Sequence, residues 1–165
     1  MQFANGGRKA KTIGRFGFEK FFQLAQNSFN VKKYSRAADN CRLAVDCAIQ
    51  ENNREGAANA YGLWIDSLFL MNRYSDLKKI CCEARSKYGN ALDLLYYEYR
   101  AAMLSGDMKI AAKFAHEFIE MAKSGSNQNN PFFNHTKNKL DEAIEMLSKY
   151  ENDQAKNGSE VKLEN

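Results

Sequence analysis

Apolar residues recur every three or four positions along this chain, in blocks separated by short polar breaks, and that rhythm predicts seven helices and no strand. The first block, Phe18, Phe21, Phe22, Leu24, Ala25 and Phe29, follows the 3.6-residue period and stops at a turn around Asn30 to Lys33. A second helix is expected from about Tyr34. Its stripe of Ala37, Ala38, Cys41, Ala44, Val45 and Ala48 is built from small residues, which lets a neighbouring helix approach closely. After the polar stretch Glu51 to Arg54, the pattern restarts with Ala57, Ala60, Tyr61, Trp64, Ile65, Leu68 and Phe69 and stops at Asn72 to Arg73. The fourth helix should run from about Tyr74 to Tyr88, where Gly89 is suited to the left-handed residue that closes a helix. Asn90 is expected to cap the fifth helix, with Asp93 three residues on, and Asp107 to cap the sixth after a turn at Ser105 and Gly106. Beyond a polar loop, Asn130 should cap and Pro131 open a seventh helix that reaches about Tyr150, with Phe133, Leu140, Ile144 and Leu147 on its apolar face.

The blocks pair off and repeat. Small and aromatic residues come in the same order in three stretches anchored on Tyr34, Tyr74 and Met108, the last two 34 residues apart and the first two 40. Each helix pair of such an array buries its apolar face by stacking on the next. In order, the slots hold Phe21, Leu24, Ala25, Ser28, Tyr34, Ala37, Cys41 and Ala44, then Tyr61, Trp64, Ile65, Leu68, Tyr74, Leu77, Cys81 and Ala84, then Leu95, Glu98, Tyr99, Ala102, Met108, Ala111, Ala115 and Phe118. This pattern resembles the tetratricopeptide repeat, a helix-turn-helix unit of 34 residues, over roughly residues 18 to 125. It departs from that family where Ile65 and Tyr99 enlarge the small slot, where no unit ends in proline, and where Glu98 takes a position that is usually apolar.

The resemblance implies an all-α superhelix of three helical hairpins with a C-terminal capping helix. The expected organisation is a disordered basic arm over residues 1–16, one helical-repeat domain over 17–151, and a disordered tail over 152–165. Within the domain the units fall at about 18–51, 58–91 and 92–125, and the capping helix at about 131–151.

Composition narrows the function classes. Of the 165 residues, 44% are hydrophobic and 27% charged, as in an ordinary globular domain, and the densest apolar run, Leu63 to Met71, is interrupted by Asp66 and Ser67 and too short to cross a bilayer. Residues 1–17 lack the apolar core of a secretory signal, so a cytoplasmic or nuclear location is expected, without membrane insertion. Cys41, Cys47, Cys81 and Cys82 lie within helical patterns and read as reduced thiols, and no Cys-x-x-Cys pair or histidine cluster offers a zinc site. His116 and His135 are isolated in sequence and read as surface residues. No catalytic motif or phosphate-binding glycine loop is present, so the chain reads as a non-enzymatic protein that needs no cofactor.

The resemblance further implies that the first helix of each unit lines a concave groove. Phe22, Gln26, Phe29, Asp66, Phe69, Leu70, Tyr96, Arg100 and Met103 are then the partner-binding residues, with Glu19, Asp66 and Asp93 favouring a basic peptide or helix. The chaperone-tail clamp of one tetratricopeptide subclass finds no positive charge here: its positions hold Phe22, Gln26, Leu63, Asp93 and Tyr97. The expected function is that of an adaptor for a partner protein. The alternative is a regulatory module of a nucleic-acid complex, acting through Arg8, Lys9, Lys11 and Arg15, which precede the first acidic residue, Glu19. Beyond that arm 20 basic residues balance 20 acidic ones, within a net charge of +4.

Overall fold

The computed structural model of the chain describes residues 7–125 and 130–160, with side chains from 17 to 125 and from 130 to 157. Helices α1 (Gly7–Asn30), α2 (Tyr34–Gln50), α3 (Arg54–Leu70), α4 (Tyr74–Tyr88), α5 (Leu92–Leu104), α6 (Met108–Ser124) and α7 (Leu140–Glu160) account for nearly all of these residues, and no strand occurs among them. A short 3-10 helix, His135–Lys139, leads into α7. The chain divides into two compact units, Met1–Ile80 and Cys81–Asn165, with the boundary inside α4.

Four connections share one geometry. Each of the turns α1–α2, α2–α3, α3–α4 and α5–α6 uses three residues, the middle one left-handed: Lys32, Asn52, Asn72 and Gly106, at φ 60°, 54°, 57° and 80°. In each, the third turn residue donates its N–H to a carbonyl five residues back: Lys33 to Ser28 (2.8 Å), Asn53 to Ala48 (2.8 Å), Arg73 to Leu68 (2.9 Å) and Asp107 to Ala102 (2.9 Å). That bond satisfies carbonyls the helix end leaves unpaired and sends the next helix back antiparallel. The first residue after two of these turns also receives an aromatic edge from the preceding helix, Phe29 on Tyr34 (5.3 Å) and Phe69 on Tyr74 (6.1 Å). The repeat seen in the sequence is thus a repeat of turns as well as of helix faces.

In the first unit α2 packs on both α1 and α3, and α1 also touches α3. The small residues of α2 are the contact: Ala37, Cys41, Ala44 and Ala48 have no exposed surface, nor has Ala25 of α1. At Gly17 the approach is closer still, since a Cβ there would sit 2.5 Å from Cys47 Sγ. In the second unit α5, α6 and α7 enclose Leu95, Tyr99, Ala115, Phe118, Ala143 and Leu147. Glu98, which breaks the apolar pattern, is buried and ion-paired to Arg85 of α4, whose guanidinium lies 5.8 Å from the Phe114 ring.

Several expectations are corrected. Helix α1 begins at Gly7 rather than near Gly17, so residues 7–16 of the arm are helical; lysine, alanine and arginine there favour a helix enough to outweigh Gly14, which costs about 1 kcal/mol. Residues 1–6 and 161–165 lie outside the described residues, while 152–160 continue α7 instead of fraying. Ala91, with no side-chain bond, sits at the N-cap of α5 in place of Asn90. Pro131 does not open a helix. The Asn130 side chain accepts from Phe132 N (3.0 Å), Phe133 turns to φ 56°, and both phenylalanines pack edge-on against Tyr88 at 5.4 and 5.5 Å. Burying those rings bends the chain where local propensity would start a helix. Gly89, at φ 81°, and Asp107, which accepts from Ile110 N at 3.2 Å, behave as expected.

Candidate functional site

Helix α3 is buried on most of its circumference: Ala57, Ala60, Tyr61, Ile65 and Leu68 are all within the core. Of its residues that are not buried, Glu55, Asn59, Gly62, Leu63, Asp66 and Leu70 share one face about 100° wide, while Trp64 lies on the other side of the helix. Leu70 at its end is 48% exposed. Helix α1 shows a matching stripe of Glu19, Gln23, Gln26 and Asn30, all exposed, flanked by half-buried Phe22 and Phe29. Phe22 stacks on Phe18 at 5.3 Å, and Phe29 and Phe69 are each partly covered by the tyrosine of their own hairpin. Six of the anticipated residues, Phe22, Gln26, Phe29, Asp66, Phe69 and Leu70, thus belong to the α1 and α3 faces of the first unit.

The glycines of this unit differ in what they do. A Cβ on Gly56 would meet Asn53 Nδ2 at 2.4 Å and Phe18 Cζ at 2.7 Å, so packing requires that glycine. Around Gly62 nothing lies within 4 Å of the Cβ position. A glycine in a helix interior costs about 1 kcal/mol relative to alanine, and among the described residues neither neighbours nor backbone shape offset it at Gly62. Its bare backbone faces open space between the amide of Asn59 and the carboxylate of Asp66, which is also close enough to Cys41 to push that thiol upward after the larger effect of burial.

The remaining three residues fall in the second unit, where the C-terminal segment engages their surroundings. Tyr96 is 9% exposed and packs on Tyr99 (5.3 Å) and Phe118 (5.9 Å); burial, more than any neighbour, pushes its hydroxyl above the usual tyrosine range. Arg100 forms an ion pair with Glu142 of α7, whose carboxylate also lies 3.4 Å from Tyr99 Oη. Met103 is half-buried. Asp93 is buried and accepts from Thr136 N and Oγ1 at 2.8 Å each, with His135 Nδ1 at 3.1 Å, so it caps the 3-10 helix. Glu142, Thr136 and His135 were not legible as partners of Arg100 and Asp93, because the turn that brings them there depends on Phe132 and Phe133 meeting Tyr88.

Another concavity in the first unit lies among α2, α3 and α4, with Trp64 and Leu68 between Arg42, Arg73 and Lys79. Its cations are matched locally: Arg42 with Asp46 (3.8 Å), and Arg73 (2.7 Å) and Lys79 (3.5 Å) with Asp76, whose carboxyl the Arg73 hydrogen bond holds below its ordinary range. Among the described residues no group of three His, Cys, Asp or Glu could hold a metal ion, and no helix is long and apolar enough to cross a membrane. Compared with protein-family models, with curated proteins and with solved structures, the chain shows no match.

Proposed function

We propose that this protein is a non-enzymatic adaptor of tetratricopeptide-like build, and that the α1 and α3 faces of its first unit receive an extended segment of a partner protein. Gly62 carries the reading. A helical glycine with nothing against it destabilises the free protein, and its use is to let another backbone come close. The side chains beside it suit such a ligand: Gln23, Gln26 and Asn59 offer donors and acceptors to an extended main chain, Glu19, Glu55 and Asp66 favour basic side chains, and Leu70 gives an exposed apolar contact. Phe22 and Phe69 are only partly buried, and the exposed part of each ring offers contact to an anchor residue.

The test is a Gly62→Gln substitution. The free protein should keep its helical circular dichroism and unfold at an equal or higher temperature, a gain of up to about 1 kcal/mol, because glycine is the worse helix former. Affinity capture from native lysate should lose the proteins that wild type retains. Identical capture by the two would show that the partner binds elsewhere.

A further inference from the structure

Charge is divided unequally along this chain in a way that the adaptor reading does not use. Eight of the 24 basic residues, but only one of the 20 acidic residues, come before Asp39, so that segment carries +7 and the rest of the chain −3. The fold places all eight on one hairpin. Arg8, Lys9, Lys11, Arg15 and Lys20 lie along α1, a continuous helix of 24 residues, about 36 Å long at 1.5 Å per residue. Lys32, Lys33 and Arg36 lie at its far end, in the turn and the first residues of α2.

Those last three form a defined surface. All are exposed, and none has a carboxylate partner among the described residues, unlike Arg42, Arg73, Lys79 and Lys87, which are each paired. Lys32 is held at φ 60° by a turn closed through the Lys32 N–H to Phe29 (2.8 Å) and the Lys33 N–H to Ser28 (2.8 Å), so the cations are presented from fixed backbone. They line a shallow depression with Tyr34, Ser35, Asp39 and Met71. The Tyr34 ring, held edge-on by Phe29 at 5.3 Å, is half-buried and keeps part of its surface open.

We infer that the α1–α2 hairpin binds the phosphates of single-stranded nucleic acid, with Lys32, Lys33 and Arg36 as contact residues. Three exposed cations within a segment that carries +7 ask for a polyanion rather than for one phosphate group. Lys32, Lys33 and Arg36 beside the partly open Tyr34 ring are the combination that holds a strand by its phosphates and stacks a base. A lipid surface is answered less well, since Phe18, Phe22 and Phe29 are half-buried within the hairpin. This inference is independent of the partner groove.

The experiment is fluorescence anisotropy of a labelled 20-nucleotide oligouridylate with the full chain between 50 and 200 mM salt, for wild type and a Lys32→Ala, Lys33→Ala, Arg36→Ala variant. Each phosphate contact adds about −0.7 to the slope of log affinity against log salt, so the variant should lose about 2 from the slope and bind about tenfold or more weakly at the lowest salt. Circular dichroism checks that the variant is folded. The proposal is overturned if wild type fails to bind at 50 mM salt, or if the variant keeps the same slope and affinity. It is equally overturned if polyglutamate or phosphatidylserine vesicles compete better than the oligonucleotide, which would assign the surface to an acidic protein or a membrane.

Discussion

Cys41 and Cys81 occupy corresponding positions in α2 and α4, and neither has exposed surface. Burial pushes both thiols up to about 12 from 9.0, with Asp66 adding to the effect at Cys41. A thiol whose pKa is higher in the folded chain favours folding while it is protonated. Its contribution is complete below about pH 9 and is lost as the pH rises from there towards 12. Tyr99, raised by burial and then by Glu142, acts in the same direction. Urea unfolding should therefore show a midpoint that falls across pH 9 to 12. At pH 8 the native protein should be alkylated at exposed Cys82 while Cys41 and Cys81 react only on unfolding; early modification of either would show that its helix contact opens. Both cysteines were legible in the sequence as small packing residues, because they fall in the same slot of two successive repeats. It marked Glu98 as a misfit but not Arg85 as its partner, since that pairing depends on how α4 and α5 meet across Gly89.

Among the elements, the turns do most to define the hairpins. Left-handed backbone suits glycine and costs other residues about 1 kcal/mol or more, and the chain uses lysine or asparagine at three of four equivalent positions. Gly106→Ala should destabilise the protein by about 1 kcal/mol, and Lys32→Gly should stabilise it by a similar amount, read from thermal unfolding. No effect at Gly106 would mean that the turn relaxes to another shape. These breaks were readable at Asn30 to Lys33, Asn72 to Arg73, and Ser105 to Gly106, where polar or glycine residues interrupt a strong apolar period. The start of α2 at Tyr34 and the limits of α4, Tyr74 and Tyr88, follow from the same signal. The loop before α7 was not readable. Its local residues, Asn130 and Pro131, favour a helix start, and only the distant ring of Tyr88 decides otherwise. Likewise Asp93 looked like part of a capping pair with Asn90, when its carboxylate in fact serves Thr136, 43 residues away.

At the scale of the molecule, the two compact units differ in what their helix faces still offer. In the second, the charges of Asp93 and Arg100 are already answered by the chain's own C-terminal segment. In the first, nothing lies within 4 Å of the Gly62 Cβ position among the described residues, and Lys32, Lys33 and Arg36 form no ion pair with a carboxylate among those residues. The all-helical class was legible from periodicity alone, but the difference between the units was not, because it rests on long-range pairs. Site-specific photocrosslinking in living cells tests the central claim most directly, with a benzophenone side chain in place of exposed Leu70 at the end of the α3 stripe, which leaves Gly62 bare, or at position 42 on α2. A partner seated on the α3 stripe gives discrete crosslinked proteins from position 70 and not from position 42; crosslinks from position 42 alone, or from neither position, would contradict that claim.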